Sequence, residues 1–167
     1  MIALPPQPER QLRCCTASGC RSSGGEALHR SLQSGAAALG TGPDQIRVKG
    51  VGCLRLCGRG PLVACDGPEG TRLYGSLEPS QAAALLTVAR GGAPSLDRLA
   101  DHELELDQPF FLAQRPLVLE HCGLIDPDSL EEALEWGAYS QLLRCLRELS
   151  PAQVRAEVGR SGLRGRG

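Results

Sequence analysis

Four of the eight cysteines in this 167-residue chain are spaced for joint chemistry. Cys15 and Cys20 form a C-x4-C pair in Cys14-Cys15-Thr16-Ala17-Ser18-Gly19-Cys20. Cys53 and Cys57 form a C-x3-C pair in Val51-Gly52-Cys53-Leu54-Arg55-Leu56-Cys57-Gly58-Arg59-Gly60-Pro61. Thiolates at such spacings in glycine-bearing loops can converge on one metal centre. The small residues Ser18, Gly19, Gly52, Gly58 and Gly60 let backbone amides approach sulfur. Two chemistries suit the set: an iron–sulfur centre that carries electrons, and a structural zinc site that serves assembly without redox activity. Thiol–disulfide exchange is a third class, but it wants a C-x-x-C pair at a helix start, and neither pair has that spacing.

The remaining reactive side chains read more plainly. Cys14 adjoins Cys15 and leaves a register ambiguity; Cys15 is chosen because it gives the x4 spacing, and in an extended strand the two neighbours point to opposite sides. Cys65 in a strand and Cys145 in a helical stripe read as small packed hydrophobes. Cys122 beside His121 reads as loop packing, and His29 and His102 as ordinary packed or solvated residues. Arg21, Arg55 and Arg59 border the ligand candidates. Facing the centre, they would stabilise an added electron; facing outward, they would form a docking patch for an acidic partner.

These cysteines need elements to hold them. Gln11–Cys14 reads as a short strand into the first pair. Ser23 and Glu26 have capping-box spacing, so a helix is expected from about Gly24, with Leu28, Leu32, Ala36 and Leu39 on one buried face. Ile46–Val51 reads as a strand into the second pair. Leu62–Cys65 and Thr71–Leu77 flank Asp66-Gly67-Pro68-Glu69-Gly70, a hairpin turn. Pro79 opens a second helix that Gly91-Gly92 closes. The order β-α-β-β-β-α predicts an α/β, thioredoxin-like domain, with both cysteine pairs in loops after strands. Beyond it, Ser129–Trp136 and Tyr139–Leu149 read as helices, the second with an apolar stripe of Tyr139, Leu142, Leu143, Leu146 and Leu149. Ser150 and Gln153 have capping-box spacing for a third, ended by Gly162.

Composition bounds the rest. Hydrophobic content of 41% permits a sizeable core, and the 3% aromatic content means it must be built of Leu, Ala and Val. A net charge of −1 gives no nucleic-acid footprint. Residues 1–92 carry a positive balance and 93–167 a negative one, with a break near Gly91-Gly92-Ala93-Pro94. The acidic run Asp101–Asp107 reads as part of a solvated linker. No apolar run reaches membrane-spanning length, Met1–Arg10 lacks an apolar signal region, and a cytoplasmic setting is expected, where cysteine clusters serve metals more often than disulfides.

The cysteine pattern, followed by Gly60-Pro61 and a hairpin, resembles the thioredoxin-like [2Fe-2S] ferredoxin family over roughly residues 10–92. The resemblance implies that Cys15, Cys20, Cys53 and Cys57 ligate a [2Fe-2S] cluster. The second half, through Pro116-Leu117-Val118-Leu119-Glu120-His121-Cys122-Gly123-Leu124-Ile125-Asp126-Pro127 and Ser161-Gly162-Leu163-Arg164-Gly165-Arg166-Gly167, resembles the start of the flavin-binding subunit of NADH:quinone oxidoreductase and of the diaphorase of NAD-reducing hydrogenases. It implies three segments: a ferredoxin domain at 10–92, a linker at 93–115 and the incomplete helical N-terminal part of a flavin-binding subunit at 116–167. Gly165 and Gly167 are then a remnant of the loop that holds FMN. The expected function is one-electron transfer within an NAD(H)-linked complex. Its partners would be a flavin-binding, NADH-oxidising polypeptide and other iron–sulfur subunits, with no nucleic acid and no membrane insertion. FMN and NADH belong to the complete complex, so the chain alone is not expected to oxidise NADH.

Overall fold

The first strand, β1 (Gln11–Cys15), runs one residue further than the sequence suggests and ends on the second of the adjacent cysteines. The computed structural model describes residues 10–40, 45–92 and 99–165. β1 pairs in parallel with β2 (Arg47–Val51) and antiparallel with β3 (Val63–Gly67). β3 continues antiparallel to β4 (Gly70–Tyr74), and β4 to the two-residue β5 (Glu103–Leu104), in the sheet order β2-β1-β3-β4-β5. A parallel pair needs a crossover, and the helix after the first cysteine pair supplies it. The result is a mixed-sheet α/β fold in which a β-α-β unit is joined to a hairpin and a helix, the thioredoxin-like arrangement.

Two helices on one face of the sheet close the core. Leu12 and Cys14 of β1 meet Leu28 and Leu32 of α2 (Gly25–Ala38), and Leu85 and Leu86 of α3 (Ala82–Ala89). Gly35 lets these helices approach, because a Cβ there would fall 2.5 Å from Leu86 Cδ1. The expected stripe on α2 stops short: Leu39 lies past the last helical residue and is 47% exposed. The hairpin is tighter than its turn residues suggest, with Gly67 paired to Gly70 across Pro68-Glu69.

Three local features differ from the sequence reading. A short helix, α1 (Ser18–Ser22), occupies the loop of the first cysteine pair. The Ser23–Glu26 capping box does not form; Gly24 caps α2 in the left-handed region at φ 96°, and the Ser23 hydroxyl donates to Gly19 O instead. The stretch read as a linker contributes β5 from within its acidic run. There Gly75 N donates to His102 O at 2.9 Å, and Arg72 pairs with Glu103 at 3.8 Å. A further turn of helix, α4 (Pro109–Leu112), follows.

The chain divides into two compact units, whose described residues fall within 10–129 and 130–165. The second is helical: α5 (Leu130–Glu135), α6 (Ser140–Glu148) and α7 (Pro151–Ser161). The Ser150–Gln153 capping box forms in both directions, and Gly162 ends α7 at φ 65°, as the sequence predicts. Arg144 ties α6 to α7 through Glu157 at 3.1 Å. Tyr139, Leu142, Leu143 and Leu146 of the expected apolar stripe are exposed. No helix among the described residues is long and apolar enough to cross a membrane.

Candidate metal centre

Parallel pairing brings the two cysteine loops together. Cys15, the last residue of β1, stands opposite Val51, the last of β2, so both strands end at one edge of the sheet. Cys53 follows two residues beyond that edge. α1 turns the chain back and buries Cys20 completely, while Cys57 opens a 3-10 turn, Cys57–Arg59.

The four sulfurs form one connected set. Cys20 and Cys53 lie within hydrogen-bonding reach of Cys15, and Cys53 Sγ lies 3.9 Å from Cys57 Sγ. Main-chain amides converge on them: Ala17 and Leu54 on Cys15, Leu62 on Cys20, and Arg55 on Cys53 at 3.2 Å. The amide of Arg55 is aimed by a left-handed backbone at φ 69°. Gly60 allows a close approach, because a Cβ there would stand 3.0 Å from Cys20 Sγ; one on Gly19 would make only ordinary contact, 3.6 Å from Cys57 Sγ. Leu62 packs on Cys15 and Cys20, with Ala17, Leu54, Leu56 and Leu104 around them.

The electrostatics favour a thiolate at Cys15. The Cys20 thiol donating to it, with the Leu54 and Ala17 amides and the Cys53 thiol, holds Cys15 below the usual thiol range against the opposing effect of burial. The same bond drives Cys20 upward, and burial raises Cys53. A donor set of four soft sulfurs with amides directed at three of them matches what a thiolate-ligated cluster needs: ligands, and hydrogen bonds that offset its negative charge. Among the described residues no group of three or more His, Cys, Asp or Glu is gathered around a point for a single metal ion.

Cys14 is separated from this set. It is 2% exposed, in the core with Leu12 on the helix-covered face, and burial pushes its thiol up to about 12. Cys65 lies in the same core, and burial, its largest influence, raises it to about 11. Cys145 is half-buried on α6 and Cys122 half-buried in the 121–125 turn. Arg21, Arg55 and Arg59, adjacent in sequence to the ligand candidates, are exposed. Gly165 is exposed beyond α7, and Gly167 lies outside the described residues.

No protein-family profile matches this chain. Among solved structures, the chain is similar to the wild-type thioredoxin-like [2Fe-2S] ferredoxin from Aquifex aeolicus, with 18% identity and a TM-score of 0.44 over 56% of this chain and 97% of that one. A second structure of a thioredoxin-like [2Fe-2S] ferredoxin from the same organism gives 17% identity and a TM-score of 0.45 over 56% and 91%.

Sequence reasoning missed Arg13, Lys49 and Gly123, which border the cysteine loops from the other face of the sheet. Arg13 pairs with Asp66 through Nε at 2.7 Å and Nη2 at 2.8 Å. The available signal was positional: a strand that alternates Leu12 and Cys14 with a cation needs a buried partner for that cation.

Proposed function

We propose that this chain is a one-electron carrier that holds a [2Fe-2S] cluster through Cys15, Cys20, Cys53 and Cys57. The observation that supports it is the connected set of four sulfurs at the shared end of β1 and β2, with main-chain amides donating to Cys15, Cys20 and Cys53. When bound, such a cluster supplies a centre that cycles by one electron. The chain's own residues do the rest. The amides lower the cost of gathering thiolates, Leu54, Leu56 and Leu62 keep water from Cys15 and Cys20, and the exposed Arg21, Arg55 and Arg59 provide positive charge that favours the reduced state and attracts an acidic partner.

In this reading the carrier serves an NAD(H)-linked complex of the diaphorase or NADH:quinone oxidoreductase type, with a flavin-binding, NADH-oxidising polypeptide as its partner; what supports it is the resemblance of residues 116–167 to the start of such a flavin-binding subunit. Gly165 and Gly167 of this chain would belong to the loop that holds the FMN phosphate. The test is spectroscopic. The anaerobically reconstituted chain should be coloured, bleach on chemical reduction and then show one unpaired electron per chain. A colourless chain with zinc at the same cysteines would replace this reading with that of a structural module.

A further inference from the structure

We infer that the 121–125 turn is a strap that fixes the second cysteine loop, with Gly123 as the positioning residue and Arg13 and Lys49 as its anchors. Arg13 and Lys49 stand opposite each other in the parallel register of β1 and β2. They are 8% and 6% exposed. Their donors reach consecutive carbonyls of the turn: Arg13 Nη1 to Gly123 O, and Lys49 Nζ to Leu124 O at 2.7 Å. A buried cation must fill its donor positions, so these bonds hold the turn against the sheet.

On its other side the turn meets the cysteine loop. Gly123 sits at φ +81°, and a Cβ there would stand 2.8 Å from Leu54 Cδ2 and 3.3 Å from Cys53 O. A Cβ on Gly52 would stand 3.7 Å from Gly123 N. Only a residue without a side chain can seat the turn this closely in a left-handed conformation. Leu54 is the residue whose amide donates to Cys15, so a displaced strap moves both that amide and the Cys53 sulfur. This role deepens the proposed cluster function and rests on Cys53 being a ligand.

The experiment compares full-length wild type with Gly123→Ala and Lys49→Met. In the metal-free chain, alkylation of Cys53 by iodoacetamide, followed by mass spectrometry, should accelerate about tenfold in both variants while Cys65 stays protected. In the reconstituted chain, the visible circular dichroism of the centre and its midpoint potential should shift, changes that a loss of overall stability would not produce. Wild-type Cys53 reactivity together with an unchanged spectrum would overturn the strap. If Gly123→Ala exposes Cys65 and so fails to fold, Lys49→Met decides alone, because it keeps the packed stem and removes only the donor. A chain that never takes up iron would sink the electron-transfer reading, while the alkylation rates would still decide the strap.

Discussion

At the scale of single residues, the function rests on which sulfurs work together. Serine at Cys15, Cys20, Cys53 or Cys57 should abolish or shift the visible spectrum of the reconstituted chain, whereas serine at Cys65, Cys122 or Cys145 should leave it intact. Cys14→Ser is the discriminating variant: it buries a hydroxyl in the core, so it should cost about 1–3 kcal/mol in denaturant unfolding yet keep the spectrum. Loss of the spectrum in Cys14→Ser with retention in Cys15→Ser would move the ligand by one position. The spacing of the pairs and the choice of Cys15 over Cys14 were legible in the sequence; what it did not show is that Cys14 is packed in the helix-covered core while Cys15 packs with Cys20 and Leu62. The Arg13–Asp66 pair gives a second residue-scale test. Burial opposes ionisation of Asp66, but bonds from Arg13, Thr71 and Gln11 outweigh it and hold the carboxyl below its ordinary value of 3.8. Below that value the unfolded chain takes up the proton first, so this stabilisation is present above about pH 3.8 and is lost as pH falls through the lower folded value. Asp66→Asn should therefore destabilise by about 3 kcal/mol near neutral pH, because it leaves Arg13 buried and unpaired. The difference from wild type in urea unfolding should shrink steadily below pH 3.8.

At the scale of elements, the junction of α1 and α2 sets where Cys20 stands. A Cβ on Gly25 would lie 2.7 Å from Cys20 O, a backbone atom that cannot turn aside, whereas a Cβ on Gly24 meets nothing within 4 Å. Gly25→Ala should cost about 1–3 kcal/mol and alter the spectrum by displacing α1. Gly24→Ala, strained only by its positive φ, should cost roughly 1 kcal/mol and leave the spectrum alone. Thermal melts paired with absorption spectra separate the two, and equal spectral effects would contradict this role of the junction. The larger elements were readable because their signals are periodic or β-branched: Leu28 and Leu32 mark α2, and Val48 and Val51 mark β2. α1 was not, because five residues containing two serines and a glycine carry no helical period. β5 was not, because a two-residue edge strand within Asp101–Asp107 is stabilised by pairing with Leu73 and Tyr74 rather than by its own composition. The capping-box signal at Ser23 failed because the chain must turn sharply between two helices, and Gly24 takes the cap position in a left-handed conformation that no side-chain rule registers.

At the scale of the molecule, the unit that ends at Ser129 carries the sheet, α1, Leu104 beside Cys15 and Cys20, and the 121–125 turn on Leu54. A fragment of residues 1–129 should therefore reconstitute the same centre with the same spectrum as the full chain. A fragment ending at Gly92 has the four cysteines but lacks β5 and the turn, and should lose its centre to a chelator at least about tenfold faster. Equal retention by the two fragments would show that residues 10–92 suffice. The central claim, that four cysteines of this chain hold a two-iron electron carrier, is tested most directly by metal and sulfide analysis after anaerobic reconstitution with iron, sulfide and zinc all supplied. A two-iron carrier should hold about two irons and two acid-labile sulfides per chain; stoichiometric zinc without iron or sulfide would contradict it.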